Sequence, residues 1–373
     1  MQFIIFSTVL TSVFALLSFY ISQRFIKKLS INAKVKKFLN FFLLLNFIGV
    51  LVYMLGRYSI SLPPYINYLS SLSIGMIFLL FLSAIFYDVF NLLIKVTPIN
   101  ENRRGFFKKT LDAGSLTLAA GVTSSASYNA KEISLEKVDV NIKGLQKEYT
   151  IVQLSDVHIG GLIDKAFITS MVNQVNSLNT DIVVITGDLI DTKLSHIKEA
   201  VNELMNLKST YGTYFVVGNH EYFHGVVEII DYINSIGIKV LENENVYIGE
   251  KDKGFHLAGV YDIIGYRADY YAPDLNKALE GIQESPTVLL AHQPKYIIEV
   301  NNNVDLVLSG HTHGGQIFPF NYLVKIVQPY IKGLHQHDVR TQIYVNKGTG
   351  FWGPPMRLGA SAEMTHIRLK KSI

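Results

Sequence analysis

Three long runs of apolar residues dominate the first hundred positions of the chain. They cover residues 3–21, 38–55 and 69–96, and the first two carry no charged residue. At 1.5 Å per residue in a helix, each run is long enough to cross a hydrocarbon core of about 30 Å. Buried helices of a soluble domain would show the same pattern, but three in succession, separated by short polar loops, favour transmembrane helices. We therefore predict an all-α membrane anchor in residues 1–98 of a multi-pass protein of the cell (inner, cytoplasmic) membrane.

The basic residues of the loops predict the orientation of this anchor. Six Lys or Arg residues lie between Arg24 and Lys37 with no acid among them, so the first loop should be cytoplasmic and the amino terminus outside. In residues 99–132, the pair Arg103-Arg104 and the mildly apolar run 111–126 resemble a twin-arginine export signal and a candidate fourth span. We predict that this segment crosses and that the rest of the chain is extracytoplasmic. A juxtamembrane linker would instead leave it in the cytosol.

From residue 133 the pattern changes to short apolar strands separated by amphipathic segments. Strand-like runs such as 149–154, 182–186 and 304–308 alternate with helical patterns such as 166–178 and 226–236. This alternation predicts a layered α/β domain over residues 133–373.

Composition excludes several kinds of chemistry. The chain has no cysteine, so disulfides, thiolate metal sites and cysteine nucleophiles are ruled out. Its net charge of +4 is uneven: residues 1–130 hold twelve Lys or Arg against three acids, whereas the remainder holds 22 against 27. The basic excess therefore belongs to the anchor, and we expect no nucleic-acid partner.

Polar side chains follow the predicted strands at the point where each one ends. Open α/β sheets place their sites at the carboxyl ends of the strands. Seven residues at such ends are of types that bind metals, namely Asp156, His158, Asp188, Asn219, His292, His311 and His313. Three oxygen donors and four imidazoles are too many for one four-coordinate ion. They suit two divalent ions that share a carboxylate.

The motifs that contain these residues resemble one protein family. Asp-x-His, Gly-Asp, Gly-Asn-His-Glu, a later His and Gly-His-Thr-His-Gly occur in that order between residues 150 and 316, as in the calcineurin-like metallophosphoesterases. The tail Gly-Thr-Gly-Phe-Trp-Gly-Pro-Pro-Met-Arg-Leu at 348–358 resembles the membrane-attached bacterial branch. The resemblance implies a four-layer αββα sandwich and a dinuclear metal-dependent phosphoesterase, in which a hydroxide bridging the metals attacks phosphorus.

The same resemblance implies a role for each residue of the site. One metal would be held by Asp156, His158, Asp188 and His313. The second would be held by Asp188, Asn219, His292 and His311, with Asp188 bridging. His220 matches the family histidine that contacts the phosphoryl oxygen or protonates the leaving group. We expect the ions among Mn, Fe, Zn, Co and Ni, because mixed His, Asp and Asn ligation accommodates all five.

Taken one at a time, the candidate residues have simpler explanations. Asp188 suits a turn, Asn219 a helix cap and His292 a hydrogen-bonded core position. Seven such coincidences in a fixed order are less plausible than one metal centre. Arg357 is a candidate phosphate-binding residue, since guanidinium matches phosphate, but a surface ion pair explains it equally well.

Some further residues lie close to the ligand candidates or share their residue type. Asp191 and Glu221 lie just behind ligand candidates and are expected to orient them. The remaining histidines fit no ligand motif and are predicted to be surface or structural residues, namely His196, His224, His256, His335, His337 and His366.

The function predicted from these patterns is a membrane-anchored phosphoesterase. Its partners would be a phosphate ester and the lipid bilayer, and the substrate is a monoester or diester, lipid-linked or otherwise part of the envelope. The alternative is a non-catalytic membrane sensor or scaffold that uses a phosphoesterase-like domain. Decay of this kind usually removes ligands, and none is missing here.

Overall fold

The computed structural model describes residues 2–58, 62–283, 285–300 and 303–372. Contacts divide the chain into two units. The first comprises Met1–Tyr128 with Gly353–Met356, and the second comprises Asn129–Trp352 with Arg357–Ile373.

Four long helices account for most of the described residues between 2 and 129. They are α1 (Gln2–Tyr20), α2 (Ala33–Tyr58), α3 (Pro64–Val96) and α4 (Glu101–Asn129). Among the described residues, three helical stretches are long and apolar enough to cross a membrane, at Ser7–Lys28, Ala33–Gly56 and Tyr65–Val96. The prediction of three apolar N-terminal helices is confirmed.

Helix α4 contains the whole segment that resembles an export signal. Arg103, Arg104 and the run after them belong to one continuous helix of 29 residues. Within the described part of the chain, α4 is not among the helices apolar enough to span a membrane. Its Asp112 accepts hydrogen bonds from the Ser30 backbone N–H and from the Tyr87 hydroxyl, and it forms an ion pair with Lys108. The export role stays a prediction.

In the described residues of the second unit there are twelve strands and seven further α-helices. The strands are β1 (Ile133–Ile142), β2 (Tyr149–Leu154), β3 (Ile182–Thr186), β4 (Thr213–Val216), β5 (Lys239–Val240), β6 (Glu244–Ile248), β7 (Phe255–Gly259), β8 (Thr287–Leu290), β9 (Leu306–Ser309), β10 (Gly333–Gln336), β11 (Gln342–Val345) and β12 (Ala362–Lys371). The helices are α5 (Lys165–Ser177), α6 (Lys198–Asn202), α7 (Asn219–His224), α8 (Val226–Ser235), α9 (Gly265–Ala268), α10 (Leu275–Ala278) and α11 (Asn321–Val327).

The strands form two six-stranded mixed sheets. The first has the order β1-β12-β2-β3-β4-β5 and the second the order β10-β11-β9-β8-β7-β6. Within them β2, β3 and β4 are parallel neighbours, as are β7, β8 and β9. Parallel neighbours end at the same edge of a sheet, so the residues that follow them are brought together.

Alternation along the strands packs the two sheets face to face. In β3, Ile182 and Val184 belong to a core shared with Val288 and Leu308 of the second sheet, whereas Val183 and Ile185 pack with helices α5 and α8. Residues Leu289 and Val307 turn outward to a third core containing Tyr296 and Ile297. Side chains of a strand alternate between its faces, so both faces of each sheet are covered. The predicted α/β fold is confirmed.

Candidate metal centre

The ends of five strands deliver the seven predicted ligand residues to one region. Asp156 and His158 follow β2, and Asp188 follows β3 through Gly187. Asn219 is the first residue of α7, just after β4. His292 follows β8, while His311 and His313 follow β9. Both sheets therefore contribute, and the structure brings all seven residues together.

The seven residues fall into two neighbouring clusters. In the first, His158 Nε2 lies 3.0 Å from His313 Nε2, which lies 3.5 Å from Asp156 Oδ1. Ligand atoms of these three residues lie within 4.8 Å of one another.

The second cluster combines two imidazoles with two oxygen donors. His292 Nε2 lies 3.2 Å from Asp188 Oδ2 and 3.2 Å from Asn219 Oδ1. Ligand atoms of Asp188, His292 and His311 again lie within 4.8 Å of one another. Asp188 also accepts the His220 backbone N–H at 2.8 Å.

The backbone of the site is strained at most of the ligand candidates. Five of the seven residues have a positive φ, which is uncommon outside glycine, namely Asp156 (49°), His158 (54°), Asp188 (49°), His311 (68°) and His313 (49°). Each such residue costs about 1–3 kcal/mol, and they cluster where function requires a particular side-chain direction. The strain therefore marks this strand edge as the functional one.

Two glycines make room for the second cluster. Gly187 has a φ of 83°, and a Cβ at that position would lie 2.6 Å from the His292 Cγ and 2.8 Å from the Gly218 Cα. A Cβ on Gly218 would lie 2.5 Å from the Asp188 backbone nitrogen. Only glycine lets the two strand ends approach so closely.

Glu221 links the loop that follows β3 to the start of α7. Its carboxylate is fully buried and accepts four backbone N–H groups, from Gly218 (2.6 Å), Asp188 (3.1 Å), Leu189 (2.9 Å) and Ile190 (3.0 Å). The sequence predicted an orienting role for this residue, and the contacts show that it acts on the main chain beneath Asp188.

Burial and close packing shift the pKa values of the site in opposite directions. Burial would lower the pKa of His292, but the neighbouring Asp188 holds it well above its ordinary value. Burial would raise the pKa of Asp188, but the cationic His292 and His220 hold it well below its usual range. Burial lowers the pKa of His311 to about 3, and burial raises that of Asp156 to about 6. Without metal, His292 and Asp188 therefore form a buried ion pair.

Hydrogen bonds fix the direction of the imidazoles. His292 Nδ1 lies 2.8 Å from the Thr186 carbonyl oxygen, so Nδ1 carries the donated proton and Nε2 faces Asp188 and Asn219. His311 Nδ1 is buried and has no hydrogen-bond partner among the described residues. A buried ring nitrogen without a partner is costly, and a bound cation would satisfy it.

Two histidines of α7, His220 and His224, lie beside Asp191. His220 Nδ1 lies 2.6 Å from Asp191 Oδ1, and the His220 Nε2 lies 3.9 Å from Asp188 Oδ2. His224 Nε2 lies 3.5 Å from the same Asp191 oxygen. From its sequence context we predicted His224 to be a surface or structural residue. Its spacing of four from His220, within a helix, was the signal that could have placed it here.

Arg357 lies beside the first cluster, but not as a phosphate-binding residue would. It is fully buried and donates to the carbonyl oxygens of Lys347 (2.9 Å), Gly348 (3.0 Å) and Gly350 (3.0 Å). One of its nitrogens also lies 3.1 Å from His313 Nδ1. This placement argues against the predicted substrate contact, because the guanidinium is already committed to the main chain.

Two facing sheets with metal-binding side chains at their strand ends define the class of metallophosphoesterases. The chain belongs to that family: the calcineurin-like phosphoesterase family matches residues 149–315. The chain is 38% identical over 356 residues to an uncharacterized metallophosphoesterase of Helicobacter pylori, covering 94% of both chains. It is 34% identical to one from Campylobacter jejuni, covering 99% of both.

Another relative is named as a transmembrane protein. The chain is 42% identical over 233 residues to a "transmembrane protein with metallophosphoesterase domain" of Bos taurus, covering 59% of this chain and 52% of that protein. The family uses a dinuclear metal site, and the protein is a metal-dependent phosphoric ester hydrolase. The three apolar helices and this relative indicate a membrane protein.

Proposed function

We propose that the chain is a membrane-anchored phosphoesterase whose two strand-end clusters hold two divalent ions. Asp156, His158, Asp188 and His313 would bind one ion. Asp188, Asn219, His292 and His311 would bind the other. The observation that supports this most strongly is the convergence of both clusters at the carboxyl ends of parallel strands in two different sheets.

The donors fit divalent ions of the transition series. Imidazole, carboxylate and amide donors together suit Mn, Fe, Zn, Co or Ni. Two such ions, when bound, would lower the pKa of a water molecule and neutralise charge on the phosphoryl oxygens. Asp188 accepts the His220 N–H through Oδ1, and its Oδ2 lies 3.2 Å from His292 Nε2; we assign this carboxylate to both ions.

We assign His220 to contact with the phosphoryl group and to proton donation. Asp191 accepts from His220 Nδ1, which fixes the ring and leaves Nε2 directed into the site. A proton on Nε2 can pass to the oxygen of the departing alcohol, and Asp191 stabilises the ring while it is cationic. The rings of His158 and His220 lie 4.7 Å apart, so His220 is close to the first cluster.

The site is tested on the full chain in detergent, after chelation and re-addition of single metals. A chromogenic phosphomonoester and a phosphodiester are compared, and Asn219→Ala is set against Asn173→Ala, an exposed asparagine of α5. We expect metal-restored turnover that Asn219→Ala loses and Asn173→Ala keeps. Equal turnover in both variants would overturn the ligand assignment. The ratio of the two substrates gives the ester class.

We further propose an extracytoplasmic catalytic unit that acts on a lipid-linked or other envelope phosphate ester. With a cytoplasmic first loop and three spans, the unit lies outside only if α4 is exported across the bilayer, and the arginine pair of α4 supports that step because it resembles an export signal. The apolar helices, which keep the enzyme at a membrane, support the lipid-linked substrate. Turnover of lipid-linked and soluble phosphate esters is compared on the full chain in vesicles. Exclusive turnover of soluble nucleotides would refute the substrate class. Protease protection of the catalytic unit in inverted vesicles tests the side.

A further inference from the structure

The chain that leaves the first metal cluster builds an exposed apolar surface. Phe318, Phe320 and helix α11 follow directly after His313-Gly-Gly-Gln. Helix α11 has no buried residue. Six large apolar side chains of this stretch are roughly half or more exposed, namely Phe318 (50%), Phe320 (49%), Tyr322 (59%), Leu323 (56%), Ile326 (78%) and Val327 (63%). We call them the 318–327 surface.

This surface is held in place at both ends. At its start, Phe318 N donates to the Leu358 carbonyl oxygen at 2.9 Å, and Ile317 and Leu358 form a parallel bridge. At its end, Gln328 is buried and its Oε1 accepts the Lys295 N–H at 3.0 Å. The apolar side chains are thus presented by an anchored segment rather than by a loose loop.

Five of the seven residues of α11 are apolar and none of them is buried. A helix with this much apolar surface normally lies in a core or in a membrane. Contiguous exposed apolar surface of this kind marks an interaction site. The occupant must therefore be a protein surface or a lipid surface, and the charges around the helix distinguish the two.

The charges favour a lipid surface. Between residues 317 and 339 the sequence contains two basic residues, Lys325 and Lys332, and one acid, Asp338. Asp338 accepts the backbone N–H groups of Arg340 and Thr341. Lys325 lies within the apolar surface, and its Nζ is 5.9 Å from the Tyr322 ring. Lysine is depleted from the cores of protein interfaces, whereas Lys and Tyr together are typical of the membrane interface.

The N-terminal helices explain why a lipid surface would be available to this part of the chain. Its N-terminal part has three helices apolar enough to span a bilayer. Any bilayer that holds those helices is tethered to the 318–327 surface by the same polypeptide. Tethering raises the effective concentration of the lipid surface, so a small apolar patch is enough for contact.

We propose that the 318–327 surface inserts into the interface of the bilayer and is attracted by anionic lipid headgroups. An interfacial helix of this kind buries its apolar side chains about 5–10 Å into the boundary between headgroups and acyl chains. The contact does not depend on turnover or on bound metal, so it can be tested apart from the proposed function.

Contact with the bilayer would bring the phosphoesterase site close to the headgroups. Gln316 Nε2 donates to the Trp352 carbonyl oxygen at 2.8 Å, and Trp352 N donates back to Gln316 Oε1 at 3.1 Å. The Trp352 ring lies 6.1 Å from the His220 ring. The chain that leads into the 318–327 surface is therefore hydrogen-bonded to a residue that lies beside His220, the proposed proton donor.

The absence of cysteine allows a direct test on the full chain. Ile326→Cys is labelled with an environment-sensitive fluorophore and the protein is placed in nanodiscs. The discs contain phosphatidylcholine alone or with phosphatidylglycerol, and part of the lipid carries a nitroxide quencher on its acyl chain. The matched control is Val227→Cys, an apolar position of α8 that is 51% exposed.

We expect the label at 326 to shift to the blue and lose most of its fluorescence to the quencher, more so with phosphatidylglycerol. The label at 227 should keep its emission. Lys325→Glu should remove the additional quenching caused by the anionic lipid. Equal quenching at 326 and 227 would overturn the proposal. A blue-shifted label at 326 that the lipid quencher does not reach would also overturn it, because a protein would then cover the surface.

Discussion

Replacing Asp191 by asparagine should selectively impair proton transfer to the leaving group. Asp191 Oδ1 lies 2.6 Å from His220 Nδ1, a short distance that suits a charge-assisted hydrogen bond. An asparagine retains the size of the side chain but not its charge. Without that negative charge the cationic form of the His220 ring is less stable, so the ring less often holds the proton that Nε2 would donate.

The size of the effect follows from what His220 is proposed to do. General acid catalysis contributes typically ~10²–10⁴-fold. Loss of the orienting carboxylate should remove most of this factor, so we expect kcat to fall about 100-fold or more, or about 3 kcal/mol of activation free energy, for a substrate with a poor leaving group. A nitrophenolate leaves with little need of a proton, so its turnover should fall far less.

The assay compares an alkyl phosphate ester with its nitrophenyl analogue in the wild type, Asp191→Asn, His220→Ala and the double variant. Metal content is measured for each protein, since Asp191 is not among the proposed ligands. The double variant should be no slower than His220→Ala, because residues that act as one unit are not additive. Equal loss for both leaving groups, or additive losses in the double variant, would refute the assignment.

Three further predictions concern the residues around the metals. Glu221→Gln leaves two of four buried N–H donors facing an amide nitrogen, so unfolding free energy should drop by about 2–4 kcal/mol in denaturant titration, while the exposed Glu228→Gln stays near wild type. Gly187→Ala should lower the free energy of unfolding by at least ~2 kcal/mol more than Gly237→Ala. Both glycines have a similar positive φ, but only a Cβ at 187 would meet the His292 ring, whereas a Cβ at 237 would have nothing within 4 Å. Metal affinity should rise with pH until the raised pKa of His292 is passed and level off above it, since that ring must release a proton before it binds; calorimetry in buffers of different ionisation enthalpy should detect the proton at neutral pH, and its absence would contradict the ion pair with Asp188.

Much of the architecture could be predicted because its signals are local. Helices α5 and α8 lie within one residue of the amphipathic patterns predicted at 166–178 and 226–236. Strands β2, β3 and β9 are mostly apolar and almost entirely buried, as parallel strands covered on both faces are. The sharp change to polar residues after each of them was enough to identify the edge that carries the site.

The remaining features depend on partners that are distant in sequence. Arg357 is buried because carbonyl oxygens of residues 347–350 surround its guanidinium, and a motif cannot show that. The short strands β6 and β10 were not predicted, since they have few apolar residues and each pairs on one side only. The positive φ values of five ligand candidates are likewise not marked in the sequence, since these residues are Asp and His rather than glycine.

The position of β12 sets the order in which the enzyme can be completed during synthesis. This strand lies between β1 and β2, with which it pairs over residues 133–142 and 149–153. While the chain is still on the ribosome, β2 lacks this neighbour until residues 362–371 have been made. The strand that leads to Asp156 is therefore among the last to be fixed. Metal binding should therefore follow the pairing of β12 with β2, because Asp156 comes just after β2.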